Sequence, residues 1–211
     1  KGLERGVLYI VATPIGNNDD MSSRAREILI ACDRVAAEDT RRAARLLAEL
    51  GGNRHKLISL HEHNEDKLVD YLVDELVKGA SVALVSDSGT PLLSDPGYRL
   101  VKAASSSGIS VRPIPGPSSI IAALSVCPLP AHPFCFVGFL PKKKKELHSR
   151  LQELIKKTEA VVFFESPRRI RRTLSLLSTL TDRKIFLIKE MTKTFEDSWS
   201  GSASELLFQL D

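Results

Sequence analysis

Hydrophobic residues follow two alternating patterns along the first 130 residues. Short apolar runs favour strands, and segments in which apolar residues return every three or four positions, such as Leu68, Leu72 and Leu76, favour amphipathic helices. The predicted strands are 6–11, 35–37, 56–60, 81–86 and 109–114, and the predicted helices are 22–32, 40–50, 65–78 and 98–107. Strands that alternate with helices indicate an α/β fold with a mainly parallel five-stranded sheet covered on both faces.

A change in composition near residue 130 divides the chain. Residues 128–133 include three prolines in six positions, which is typical of a linker. Beyond it we predict strands 134–137, 160–165, 184–190 and 195–199, and helices 143–157, 202–210 and one that begins at residue 167. The chain is therefore predicted to form two α/β domains, 1–130 and 131–211.

The composition indicates a reduced protein of the cytoplasm. No apolar run approaches the roughly 20 residues that a membrane span needs, and the first residues lack the apolar core of a signal peptide. Three cysteines, an odd number without CxxC spacing, argue against both a disulfide framework and a cysteine zinc site. We expect neither a membrane association nor a metal.

Positive charge is concentrated in residues 141–172, which hold eleven Lys or Arg against four acids, although the whole chain has a net charge of only +4. Such a run is often a solvated face, but it also suits contacts with RNA phosphates. The candidates are Lys142, Lys143, Lys144, Lys145, Arg168, Arg169, Arg171 and Arg172. Nearby aromatic residues are expected in the core or stacked on a base, and they are Phe136, Phe139, Phe163 and Phe164.

Four loops that follow predicted strands are rich in Gly, Pro, Ser, Asp and Thr: 12–17, 86–97, 115–119 and 190–193. Ligands of open α/β sheets bind outside the carboxyl ends of the strands, where glycine allows a close approach of the backbone. The chain has neither the G-x-G-x-x-G dinucleotide fingerprint nor a phosphate-binding P-loop. A nucleotide ligand would have to be held in another way.

A family resemblance rests on motifs such as Ala12-Thr13-Pro14-Ile15-Gly16-Asn17 and Phe164-Glu165-Ser166-Pro167-Arg168-Arg169. Further blocks lie at 8–11, 37–41, 61–65, 83–91, 95–98, 115–117, 138–141 and 189–193. Together, and in this order over nearly the whole chain, they resemble the tetrapyrrole methylase superfamily, and within it the members that methylate ribosomal RNA.

The resemblance implies two α/β domains with S-adenosyl-L-methionine in a cleft between them, and a homodimer. It also implies methylation of the 2′-hydroxyl of a cytidine in 16S rRNA of the small ribosomal subunit. Family members continue beyond the point corresponding to Asp211 with a glycine-rich strand and tail, so the second domain is expected to lack these. Asn18 also departs from the pattern, since an apolar residue is expected there.

The resemblance places the cofactor against the predicted loops. The residues concerned are Pro14, Gly16, Asp87, Ser88, Gly89, Thr90, Ser118 and Ser119, with Glu190 added because it closes a strand of the second domain. Asp87 has two interpretations, since it could bind the ribose or cap the turn through Gly89.

A ribose 2′-hydroxyl is a weak acid, so its methylation needs a base or a neutralising cation nearby. The candidates are Glu38, Asp39, Arg41 and His61. Asp39 could instead cap the helix that begins at Thr40. His61, Glu62 and His63 suggest zinc, but three consecutive residues of an extended segment cannot converge on one ion.

Two other functions remain open at this point. A methyltransferase acting on a corrin or porphyrin would share the fold and cofactor, but it would gain nothing from the basic region. A non-catalytic RNA-binding factor would bind RNA without affinity for S-adenosyl-L-methionine.

Overall fold

The computed structural model describes residues 3–61 and 63–210. It forms two compact units, with the boundary in the sequence between Ser118 and Ser119. The domain boundary that the sequence indicates near residue 130 stays a prediction.

The first unit is built on a five-stranded sheet. Its strands are β1 (Val7–Val11), β2 (Arg34–Ala37), β3 (Leu57–Ser59), β4 (Val82–Val85) and β5 (Ser110–Ile114). They are ordered β3-β2-β4-β1-β5, and all four neighbouring pairs are parallel. The predicted parallel sheet is confirmed, and its carboxyl edge brings together the loops that follow these strands.

Helices cover this sheet as α1 (Ser23–Ala31), α2 (Thr40–Glu49), α3 (Glu65–Val77) and α4 (Tyr98–Ser106). Because successive side chains of a strand point to opposite faces, neighbouring residues enter different cores. Tyr9 packs in one core with Leu29 and Leu47, and Leu8 packs in the other with Leu72 and Leu100. The observed bounds of these strands and helices differ from the predicted ones by at most one residue.

Local side-chain contacts explain where the first helix, α1, begins and ends. The Ser22 hydroxyl accepts a hydrogen bond from the backbone N–H of Ala25 at 3.1 Å, the cap that the sequence predicts. At the other end of α1, the buried Lys56 ammonium donates to the carbonyl oxygens of Leu29, Ile30 and Cys32. It thereby satisfies carbonyls that have no partner within the helix.

The second unit contains α5 (Ser119–Ser125), β6 (Phe134–Phe139), α6 (Lys144–Leu154), β7 (Ala160–Phe164), α7 (Ile170–Leu180), β8 (Ile185–Lys189), β9 (Asp197–Gly201) and α8 (Ala203–Gln209). Strands β6 and β7 are parallel, whereas β8 and β9 are antiparallel. Leu147, Leu151, Leu174 and Leu206 are buried in its core.

Several predictions for this unit need correction. Helix α5 was not predicted, since its short apolar run follows a Pro-Gly-Pro turn. Helix α7 begins at Ile170 instead of residue 167, because residues 167–169 form a turn. Helix α6 ends at Leu154, and β9 begins at Asp197, two residues later than predicted.

Candidate active site

The loops after β1 and β4 are joined through their backbones. The N–H of Thr13 donates to the carbonyl oxygen of Gly89 at 2.9 Å, and the N–H of Gly89 donates to that of Thr13 at 3.1 Å. This antiparallel bridge lies just beyond a sheet whose strand pairs are all parallel. It holds two of the predicted cofactor loops side by side.

Glycines allow the loop after β5 to join them. Gly116 passes so close to β1 that a Cβ atom there would lie 3.0 Å from the Cβ of Ala12. Gly89 has a φ of +82°, and a Cβ there would lie 3.2 Å from Cγ2 of Ile15. The Thr90 hydroxyl donates to the carbonyl oxygen of Pro117 at 3.0 Å. Three loops of the first unit therefore meet at one edge, as the sequence predicts.

The serine hydroxyls of the 86–97 loop shape the loop itself. The Ser86 hydroxyl lies 3.2 Å from the carbonyl oxygens of both Ser88 and Gly89. The Ser88 hydroxyl donates to the carbonyl oxygen of Pro14 at 3.4 Å. Ser88 is exposed and Pro14 is half-buried, so both lie at the surface of the joined loops, as does the exposed Gly16.

Asp87 connects the β4 loop to the end of β2. Its carboxylate accepts a hydrogen bond from the backbone N–H of Asp39 at 3.1 Å and lies 3.8 Å from the Arg42 guanidinium. The turn-capping interpretation expected partners for Asp87 within its own loop, whereas these two lie elsewhere, Asp39 after β2 and Arg42 on α2. Its role as a ribose ligand stays a prediction.

Asp39 caps α2, as one of the two interpretations has it. Its carboxylate accepts from the backbone N–H of Arg41 at 2.9 Å and pairs with the Arg41 guanidinium at 3.3 Å. The hydrogen bonds from the side chain and backbone of Arg41 hold the pKa of Asp39 below its ordinary value. A carboxylate with a lowered pKa is a weak base, which argues against Asp39 as the group that accepts the proton.

Asp95 is a further candidate at this edge that the sequence does not single out. It is half-buried, and burial together with the negative charges of Glu38 and Asp87 raises its pKa to about 6. The charges of two carboxylates that follow β2 and β4 therefore act on Asp95 at the carboxyl edge. The available signal was the position of Asp95 within the polar loop 86–97. In that loop Leu92 and Ser94 adopt a positive φ, a strained backbone that is common at functional sites.

Glu65 anchors the far end of this loop. It is buried, at 7% exposure, and its carboxylate accepts from the backbone N–H groups of Gly97 and Arg99, both at 3.2 Å. The side chain at the start of α3 thus fixes the start of α4. Its polar neighbours Asn64 and Asp66 concealed this role, since a Glu in a polar stretch of a helix is usually solvated.

His61 follows β3 at the same edge of the sheet. Its Nδ1 atom is buried, and no described residue donates to it or accepts from it. Its ring is 5.9 Å from that of His63, centroid to centroid. The two rings are close because the chain turns here, with the N–H of Asn64 donating to the carbonyl oxygen of His61, and not because an extended segment alternates. Glu62 lies outside the described residues. Within 3–61 and 63–210, no group of three His, Cys, Asp or Glu side chains is arranged to hold a metal.

A cavity of about 200 Å³ adjoins these loops in the first unit. Thr13, Pro14, Ser86 and Asp87 contribute to its lining, and α2 contributes Arg42 and Arg45, among other residues. The cavity is smaller than the roughly 300 Å³ at which pockets for drug-sized ligands begin, so by itself it accommodates only part of a nucleoside-containing molecule.

The remaining cofactor candidates are placed as follows. Ser118 is half-buried at the end of the β5 loop. Ser119 begins α5 in the second unit. Glu190 belongs to the same unit and follows β8. Glu190 is exposed, adopts a φ of +52° and pairs with Lys193 at 3.3 Å.

Most predicted RNA-binding residues are exposed in the second unit. They are Lys142, Lys143, Lys144, Lys145, Arg168, Arg171 and Arg172. Arg169 differs, because its guanidinium pairs with Glu165 at 3.3 Å and donates to the carbonyl oxygens of Leu140 and Pro141. Much of its hydrogen-bonding capacity is used inside the protein, and its contact with RNA stays a prediction.

The aromatic residues of the second unit divide between the two predicted roles. Phe163 packs against the core. Phe136 and Phe139 each contact Phe164, with ring centroids 5.0 and 5.3 Å apart. Phe139 is 61% exposed, which leaves it accessible to a stacked base.

The described part of the chain has no helix that is long and apolar enough to cross a membrane. Burial raises the pKa of the Cys32 thiol, in agreement with a packing role for this residue.

Comparisons with known proteins place this arrangement in a family. The chain is 46% identical over 207 residues to ribosomal RNA small subunit methyltransferase I of Xylella fastidiosa (strain Temecula1), covering 97% of this chain and 76% of that protein. It is 45% identical to the protein of the same name from Vibrio cholerae, covering 95% and 70%. The fold is similar to that of cobalt precorrin-4 methyltransferase, with a TM-score of 0.68 at 15% identity, over 97% and 89% of the two chains. The model of the tetrapyrrole (corrin/porphyrin) methylases matches residues 7–207. The chain therefore belongs to the tetrapyrrole methylase family.

Proposed function

We propose that this protein transfers a methyl group from S-adenosyl-L-methionine to the 2′-hydroxyl of a cytidine in 16S rRNA of the small ribosomal subunit. The observation that carries the proposal is the identity of 46% over 97% of the chain with a relative named ribosomal RNA small subunit methyltransferase I. The arrangement at the carboxyl edge of the first sheet supports it, as the following contacts explain.

The joined loops fit a ligand that is recognised mainly by backbone atoms. A side chain at Gly116 or Gly89 would crowd Ala12 or Ile15, so these two glycines allow the loops to lie side by side with their backbones at one edge. We propose that Pro14, Gly16, Asp87, Ser88, Gly89, Thr90, Ser118, Ser119 and Glu190 contact S-adenosyl-L-methionine. This cofactor supplies an electrophilic methyl group on a sulfonium, and the protein's task is to align the acceptor oxygen with it.

The acceptor hydroxyl must lose its proton during the transfer. Glu38, Asp39, Arg41 and His61 are the candidates from sequence, and the structure adds Asp95. A base is most effective when its pKa lies near the working pH, and the pKa of about 6 at Asp95 comes nearer to this than that of an ordinary carboxylate. We propose that Asp95 accepts the proton, with His61 as the second candidate because its buried Nδ1 is available.

The basic surface of the second unit would bind the RNA backbone through Lys142–Lys145 and the arginines at the start of α7. Counterion release then predicts that affinity falls steeply with salt. We also propose that the protein acts in the cytoplasm, where small ribosomal subunits are present, and that it forms a homodimer, which sedimentation velocity would test.

The test is transfer of tritiated methyl from S-adenosyl-L-methionine to small ribosomal subunits from cells that lack this gene, compared with transfer to uroporphyrinogen. We expect transfer to the subunits alone. Transfer to the tetrapyrrole alone would replace the proposal with C-methylation of a small molecule. RNA binding without any affinity for S-adenosyl-L-methionine, measured by calorimetry, would indicate a non-catalytic factor.

A matched pair of variants links the activity to the joined loops. Gly89→Ala introduces a Cβ atom at a φ of +82° and 3.2 Å from Ile15, so we expect a loss of affinity for S-adenosyl-L-methionine of 10-fold or more, on the order of 1–2 kcal/mol of strain. Gly108→Ala is the control. Gly108 has a similar φ of +72°, but a Cβ there would have no neighbour within 4 Å. Equal affinities for the two variants would contradict the placement of the cofactor.

A further inference from the structure

A buried carboxylate in the second unit has no role in the chemistry described above. Glu165 follows β7, and its side chain is only 2% exposed. It accepts hydrogen bonds from the backbone N–H of Ser166 and from the hydroxyl of Thr173, both at 2.8 Å, and it pairs with the Arg169 guanidinium at 3.3 Å. Three donors on two oxygen atoms fix the orientation of this carboxylate.

Arg169 transmits this fixed position to the turn between β6 and α6. The same guanidinium that pairs with Glu165 donates to the carbonyl oxygen of Leu140 at 3.0 Å and to that of Pro141 at 2.6 Å. Its planar array of donors suits several acceptors at once, which a lysine ammonium cannot reproduce with the same geometry. The turn is therefore attached to the start of α7 through one side chain.

The turn leads directly into the lysine run. A guanidinium nitrogen of Arg172 lies 3.4 Å from the carbonyl oxygen of Lys142, so the two basic segments are adjacent in space. Within residues 3–61 and 63–210, no acidic side chain pairs with Lys142, Lys144, Lys145 or Arg168. These cations are exposed and available to an anionic partner.

We propose that Glu165 is a positioning residue for RNA binding: through Arg169 it holds the turn at Leu140–Lys142, so that the lysine run and the start of α7 present one phosphate-binding surface. The inference rests on the proposed function, because it takes RNA as the anionic partner. A buried ion pair adds little net stability, since desolvation of the charges offsets their attraction. The buried pair of Glu165 and Arg169 is therefore better explained by its control of the geometry of the basic surface than by its effect on stability.

The charge change in Glu165→Gln separates positioning from simple electrostatics. The variant loses a negative charge near a basic surface, so a purely electrostatic surface would bind RNA more tightly. A positioning role predicts the opposite: about 10-fold weaker binding to small ribosomal subunits, and a salt dependence reduced by about one or two phosphate contacts. Arg169→Lys keeps its charge and should show the same loss.

Glu153→Gln is the matched control. Glu153 forms an exposed pair with Arg150 at 2.9 Å on α6, and its removal also deletes one negative charge. We expect its binding to be unchanged or slightly tighter. Thermal unfolding followed by the fluorescence of Trp199 establishes that each variant is folded at the assay temperature. If Glu165→Gln is unfolded at that temperature, the binding of Arg169→Lys tests the positioning role instead.

Folded variants that bind subunits as tightly as the parent, with the same salt dependence, would overturn the positioning role. In that case methyl transfer by the parent would show that the proposed function still stands. If the parent binds neither subunits nor S-adenosyl-L-methionine, the proposed function fails, and the positioning role fails with it.

Discussion

Asp95→Asn should make the protein more stable at pH 8, although it removes a residue that we place at the active site. In the parent, burial and the charges of Glu38 and Asp87 raise the pKa of Asp95 from 3.8 to about 6. The folded state therefore holds the proton more tightly than the unfolded state. The stability of the parent falls as the pH rises from 3.8 through about 6, and above that pH the full destabilisation by the ionised Asp95 is present.

The size of the effect follows from the shift. A rise from 3.8 to about 6 corresponds to about 3 kcal/mol for a group shielded from solvent. Because Asp95 is only half-buried, solvent screening reduces this to about 1–2 kcal/mol. In a chain of this length, that free energy raises Tm by roughly 3–6 °C.

Calorimetric unfolding at pH 4 and pH 8 measures the effect. The two proteins should have nearly equal Tm at pH 4, and the Asn variant should have the higher Tm at pH 8, while its methyl transfer is lost. Asp70→Asn, at an exposed position on α3, controls for the change in net charge and should give only a small shift in Tm at either pH. A variant less stable than the parent at pH 8 would show that the ionised Asp95 is stabilising, contrary to our reasoning.

Two further predictions concern stability. Lys56→Met removes the donor that satisfies three carbonyls at the end of α1 and should destabilise the protein by about 2–4 kcal/mol. Lys78→Met breaks the exposed pair with Asp74 and should destabilise the protein much less, because solvent screens that pair. Hydrogen exchange of the α1 amides measures the loss of stability in both variants, and equal losses for Lys56→Met and Lys78→Met would refute the role of Lys56. Hydrogen bonds from the backbone of Ser202 and from Lys184 lower the pKa of Glu205 to about 2. The ionised Glu205 therefore stabilises the folded state above its ordinary pKa near 4.5, and this stabilisation is lost as the pH falls toward 2. Glu205→Gln should be less stable than the parent at pH 6, and the difference in stability should vanish near pH 2. Unfolding followed by Trp199 fluorescence measures this difference, and a difference independent of pH would contradict the assignment.

The elements of the first unit could be predicted because their signals are local. The helical spacing of Leu68, Leu72 and Leu76, the serine before α1 and the glycines after α2 each act within a few residues. In the second unit, the turn before α7 was missed because Arg169 resembles an ordinary helical residue until its partners on another segment are known.

The candidate site was only partly predictable, because its contacts join segments that are far apart in the sequence. Loop composition located the joined loops, but the raised pKa of Asp95 depends on its burial and on the charges of Glu38 and Asp87, which follow β2 and β4. Sequence spacing reports neither that burial nor those distances. Arg169 appeared to be one more cation in a basic run, because a buried carboxylate partner such as Glu165 is invisible to a count of charges.

The bridge between Thr13 and Gly89 has a consequence for affinity. Since the two main-chain hydrogen bonds already exist in the free protein, this stretch does not have to be ordered when a ligand arrives, and ordering would cost about 1–2 kcal/mol per residue. Main-chain atoms make the bridge, so many side chains can change around it without loosening it. On the proposed placement of S-adenosyl-L-methionine, relatives that methylate different acceptors can keep these two loops rigid while the surrounding surface diverges.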